Sequence, residues 1–172
     1  MPRLCWLTAS PAGCLAAAMT DLLSDRLAEL GIALPKPAAP VAAYVPAVEA
    51  SGLLHLSGQL PFRPDGSLIV GRLGEDVGLE QGRQAAERCA IMLLAQIDAA
   101  LGSLERVERI VRLGVFVASA ANFTDQPKVA NGASELMETV LGEAGRHARS
   151  AVGVPVLPLG AAVEVDGIVA IR

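Results

Sequence analysis

The chain has 172 residues, of which 52% are apolar, enough to bury one core and of ordinary length for a single domain. A formal net charge of −4 and only 3% aromatic residues remove the basic excess and the stacking rings that binding to nucleic acid draws on, so neither RNA nor DNA is an expected partner. Cys5, Cys14 and Cys89 show no CxxC or Cys/His spacing, and His55 and His147 stand far apart in the sequence. No metal and no disulfide framework is expected, which fits a reducing, cytoplasmic setting.

Taken in chain order, residues 1–18 read as a mis-annotated or disordered N-terminal extension. Its apolar stretches are broken by Pro11 and preceded only by Arg3, a poor match to a secretory signal, and Met19 is the alternative start. No segment is long and apolar enough to span a bilayer, so no membrane is expected as a partner. Residues 19–41 hold a short helix and a proline-rich lead-in: Leu23, Leu27 and Leu30 recur at helical spacing after the capping candidates Thr20 and Asp21, and Gly31 stops the pattern. Residues 42–172 read as the folded domain.

Within that domain, Tyr44–Val48 and Leu53–Ser57 predict a hairpin around Glu49-Ala-Ser-Gly52. Leu54 and Leu56 would lie on one face, and Leu53, His55 and Ser57 on the other. Pro64-Asp-Gly66 predicts a turn, followed by a third short strand over 67–70. Leu79–Leu101 predicts the longest helix, with Cys89 beside its apolar stripe as a small core residue. Val107–Ala118 reads as a central strand in which Gly114 marks a bulge. A second helix is expected from Gln126 to Leu141, although Asn131-Gly132 is a poor helix-forming pair and therefore points to local function or close packing. Two final strands, 151–157 and 161–171, flank Pro158-Leu159-Gly160. As adjacent strands they would carry Arg149 and Glu164 to one pocket, an anion-binding group beside a candidate base.

Tyr44-Val45, Leu56-Ser-Gly-Gln-Leu-Pro61, Arg149-Ser150, Leu157-Pro158 and Val163-Glu-Val-Asp166 together resemble the Rid, or YjgF, family of reactive intermediate deaminases, also labelled endoribonuclease L-PSP. The resemblance runs from about Ala42 to the C-terminus. Asn131-Gly-Ala-Ser134, the run Gly145–Gly153 and the opening Leu30–Pro35 resemble a longer bacterial subgroup of it.

The resemblance implies an α+β, chorismate-mutase-like fold, a mixed sheet with two long helices on one face, assembled as a homotrimer with pockets at the subunit interfaces. It implies that Arg149 binds a substrate carboxylate and Glu164 positions or activates water. Tyr44, Ser57, Asn131 and the backbone around Gly58 would line the pocket. The implied activity is hydrolytic deamination of small enamine or imine metabolites such as 2-aminoacrylate to a keto acid and ammonia, with no cofactor. A cysteine common in active members two residues after the arginine is here Ala151. The alternative is a non-catalytic trimer that binds a small carboxylate. RNA cleavage, the family's older label, finds little support in an acidic chain poor in aromatics.

Overall fold

The computed structural model describes residues 22–37 and 43–172. The readings made for residues 1–18, for Met19 and for the caps Thr20 and Asp21 fall outside the described residues. Helix α1, Leu22–Glu29, buries Leu27 and ends at Gly31, whose φ of +66° is the left-handed geometry that glycine adopts without cost.

Strands β1, Ala47–Ala50, and β2, Leu53–Gln59, form a hairpin closed by Ser51 and Gly52 at φ +53° and +75°. Two positive-φ residues make a tighter turn than the predicted four-residue connection, and Glu49 and Ala50 are drawn into the strand. The predicted alternation holds, with Leu54 and Leu56 buried. The strand expected over 67–70 does not form. That stretch makes only the isolated bridges Phe62–Leu68 and Val70–Ala161, because Asp65 accepts hydrogen bonds from the Ser67 amide at 2.9 Å and its hydroxyl at 2.7 Å and closes a local turn instead.

Helices α2, Leu79–Leu101, and α3, Gln126–Leu141, have the predicted bounds. Both cover one face of a five-stranded sheet ordered β1-β2-β5-β3-β4, where β3 is Val107–Ala118, β4 Ala148–Val154 and β5 Val163–Ile171. Val163, Val165 and Val169 of β5 and Leu113, Val115 and Val117 of β3 alternate into that helix-covered core, as pleating requires. Cys89 is buried there, and its Sγ donates to the Val163 carbonyl at 3.5 Å.

Gly114 is not the bulge in β3. The register is irregular at 107–109 and 110–112, whereas Gly114 pairs regularly with Asp166 and Ser150. Its missing side chain serves a different end: a Cβ would run into Asp166 Oδ1, which accepts the Gly114 amide at 3.0 Å.

The last two strands are not neighbours. β3 lies between them, parallel to β4 through the α3 crossover and antiparallel to β5. Pro158-Leu159-Gly160 is a 3-10 turn with Leu159 at φ +57°, and it carries the chain past the end of β3 rather than back beside β4. The other face of the sheet carries no helix among the described residues: Phe116, Ala118 and Val154 pack there against Leu60, Leu68, Leu157 and Ala161, while Val48 and Val152 are exposed in one copy.

Candidate active site

Register decides where the two charged residues go. Arg149 pairs with Leu113, a core residue on the helix-covered face, whereas Glu164 pairs with Phe116, of opposite parity on β3. Arg149 and Glu164 therefore project from opposite faces of the sheet, three residues apart along β3 and two strands apart, on the order of 14 Å from strand spacing and rise. The expectation of a single pocket built from adjacent strands is corrected accordingly. Instead, the candidate residues fall into two groups.

The first group surrounds Arg149 on edge strand β4. Its Nη1 donates to Asn131 Oδ1 at 3.0 Å and to Ser134 Oγ at 2.9 Å, and its Nη2 donates to the Pro127 carbonyl at 3.2 Å. A guanidinium carries five N–H donors, so the Nε–H and one Nη2–H keep no acceptor among the described residues. Asn131 and Ser134 reach Arg149 together because three residues in a helix bring side chains to one face. Gly132 between them accounts for the poor helix pair. A Cβ there would strike the Arg83 carbonyl, so glycine lets α2 and α3 approach while Asn131 serves the arginine. Ala151 shares the Arg149 face and packs against the core, where a cysteine would otherwise stand beside the guanidinium.

Ser134 and His147 were not singled out as site residues by sequence reasoning, although the Asn131–Ser134 spacing carried the signal for the serine. His147 Nε2 lies 3.0 Å from Ser134 Oγ, and its Nδ1 lies 2.6 Å from the Gly145 carbonyl. Burial first, and the Arg149 charge as well, lower the His147 pKa below its ordinary value, outweighing the Gly145 hydrogen bond and the Glu138 carboxylate that pull it up.

The second group lies on the face away from the two long helices, where β2 is irregular against β5. There Ser57 and Gly58 sit opposite Asp166, between the pairs Leu56–Gly167 and Gln59–Val165. Glu164 lies over Gly58, and any Cβ at that glycine would collide with its carboxylate. Burial, and secondarily the Asp166 carboxylate, raise the Glu164 pKa. Asp166 is itself tied to the Gly114 amide and to Arg112 at 3.5 Å. The Ser57 hydroxyl donates to the Val45 carbonyl at 2.9 Å, so its proton fastens the Tyr44-Val45-Pro46 segment along β2. Tyr44 itself is 57% exposed in one copy. Clefts of about 290 and 690 Å3 flank the Leu30–Pro35 lead-in and are lined by neither Arg149 nor Glu164.

Among the described residues no three His, Cys, Asp or Glu side chains converge as metal ligands, and no helix is long and apolar enough to cross a membrane.

The fold agrees with what the chain is similar to. The family model "YjgF/chorismate mutase-like, putative endoribonuclease" matches residues 24–169, and the chain belongs to this family. It is 51% identical over 148 residues to Protein TCP17 of Trypanosoma cruzi, covering 86% of this chain and 92% of that one. It is 31% identical over 144 residues to a RutC family protein of Aquifex aeolicus, covering 82% and 98%. The crystal structure of Atu1372 from Agrobacterium tumefaciens, of unknown function, superposes with a TM-score of 0.84 at 46% identity, covering 92% of this chain and 99% of that one.

Proposed function

We propose that the chain hydrolyses small enamine or imine metabolites of the 2-aminoacrylate type to a keto acid and ammonia, in pockets shared between copies of a homotrimer. The observation that carries this reading is Arg149. Three acceptors fix its guanidinium, while the Nε–H and one Nη2–H, without an acceptor among the described residues, are left for a carboxylate. Charge-assisted hydrogen bonds of this kind contribute about 1.5–3 kcal/mol each, and the planar fork orients the ligand as a lysine would not.

The chemistry requires little beyond orientation and a base. The enamine takes a proton from solvent at its terminal carbon to become the protonated imine. Water then adds through oxygen to the imine carbon while Glu164 accepts its proton, and the resulting carbinolamine loses ammonia as the carbonyl forms. A carboxylate held above its ordinary pKa by burial suits this role, since it accepts a proton more readily than an exposed one. Because Arg149 and Glu164 leave opposite faces of one sheet, the reading pairs the Arg149 of one copy with the Glu164 of another. The face away from the two long helices, with the exposed Val48 and Val152 and the Ser57–Gly58 irregularity, is the surface such an assembly would bury.

The test is keto acid release from 2-aminoacrylate generated in situ. Wild type should exceed the spontaneous rate and Arg149→Ala should fall to it; equal rates for wild type and the enzyme-free control would sink the proposal. Ala151 favours a second reading, in which the pocket binds a small carboxylate without turning it over. Saturable keto acid binding lost in Arg149→Ala, with no turnover of several imines, would select it.

A further inference from the structure

We propose that His147 is the residue that positions Arg149, acting through Ser134, and that it does so only as a neutral imidazole with its proton on Nδ1. This rests on Arg149 being the carboxylate clamp. The tautomer follows from the acceptor: the Gly145 carbonyl, 2.6 Å from Nδ1, has no hydrogen to give, so Nδ1 carries one. In the neutral ring Nε2 is then a bare acceptor, and the Ser134 hydroxyl 3.0 Å away donates its only hydrogen to it. That commitment turns an Oγ lone pair toward Arg149 Nη1 at 2.9 Å. Gly145, His147, Ser134 and Arg149 thus form one directed chain of hydrogen bonds.

Without His147 the serine hydroxyl turns to the helix carbonyl four residues back, as serines inside helices do, and its lone pairs leave the guanidinium. With a doubly protonated His147, Nε2 becomes a donor, and Ser134 Oγ must accept from two cations at once. The charges around the imidazole do not offset this. Glu138 of α3 is occupied by Arg146 at 2.8 Å, and Glu143 also pairs with Arg146 at 3.2 Å. Arg109 of β3 donates to the Arg146 carbonyl, and Arg149 itself is the other charge facing the ring. Burial of the ring favours the same neutral form. Protonation of His147 is therefore expected to loosen the clamp on the acid side of neutrality.

The experiment uses pyruvate as the probe carboxylate, with calorimetric affinity followed from about pH 5 to 8 and imidazole 15N shifts recorded over the same range. The 15N spectrum should show the Nδ1–H tautomer at the basic end, and pyruvate affinity should weaken about tenfold with the midpoint of the His147 titration. His147→Gln, whose amide can donate to Gly145 and accept from Ser134, should bind near the wild-type level and lose the acid weakening. His147→Ala and Ser134→Ala should each raise KM about five- to tenfold while kcat holds. An Nε2–H tautomer, or an affinity flat across the His147 titration, overturns the proposal even where a variant does not fold. Loss of pyruvate binding in Arg149→Ala with wild-type affinity in His147→Ala removes His147 and leaves the clamp standing. Wild-type affinity in Arg149→Ala removes both.

Discussion

At the scale of single residues, Glu164 as the proposed base sets reactivity against stability. Its carboxyl is desolvated over Gly58 and stands two residues from Asp166, and both effects raise its pKa. The sign is fixed by that direction: a carboxyl with a folded-state pKa above its unfolded one costs stability when charged, and the cost vanishes as pH falls below the unfolded value. Glu164→Gln should therefore melt above wild type at neutral pH, by about 2–4 °C for each kcal/mol relieved, with the gap closing in acid. The same variant should lose about 100-fold or more in imine hydrolysis. Wild-type activity should rise with pH through the Glu164 titration. Thermal melts at several pH values alongside keto acid assays check all three. Arg149, Asn131, Ser57 and Glu164 were legible as a set from their order and spacing. Their partition into two groups was not, because it depends on strand parity across β3, a relation among residues some 30 to 50 positions apart in the chain.

At the scale of elements, the two long helices and β3 were readable to their ends, since their apolar periodicity is strong and glycines follow the helices. The neighbours of β4 were not. A Pro-Leu-Gly turn between two apolar runs has the local chemistry of a hairpin, and only the crossover through α3, which lays β4 parallel to β3, forces the chain past β3 to reach the place of β5. The closeness of α2 to α3 was announced by Gly132, though not which backbone it met. Gly132→Ala should push the helices apart against the Arg83 carbonyl, costing about 1–3 kcal/mol. It should also displace Asn131 and Ser134, weakening pyruvate binding as well as lowering Tm. A melting curve and a binding isotherm on one variant distinguish this from a purely structural loss.

At the scale of the whole molecule, the proposed reaction falls between copies, because the sheet presents Arg149 and Glu164 on opposite faces. Arg149→Ala and Glu164→Gln, each inactive alone, should restore activity when refolded together. In randomly mixed trimers with one arginine and one glutamate drawn from different copies, about one quarter of the pockets are intact. Recovery near that fraction in the keto acid assay supports sharing, and none at all places both groups in one copy.

The pleat of β3 also governs what a defective copy does. In the proposed trimer, a subunit altered at both Arg149 and Glu164 would lend a dead arginine surface to one neighbour and a dead glutamate surface to the other. It would therefore silence both pockets it helps to build, two of the assembly's three, and a minority of damaged chains would depress the output of the population out of proportion to their number.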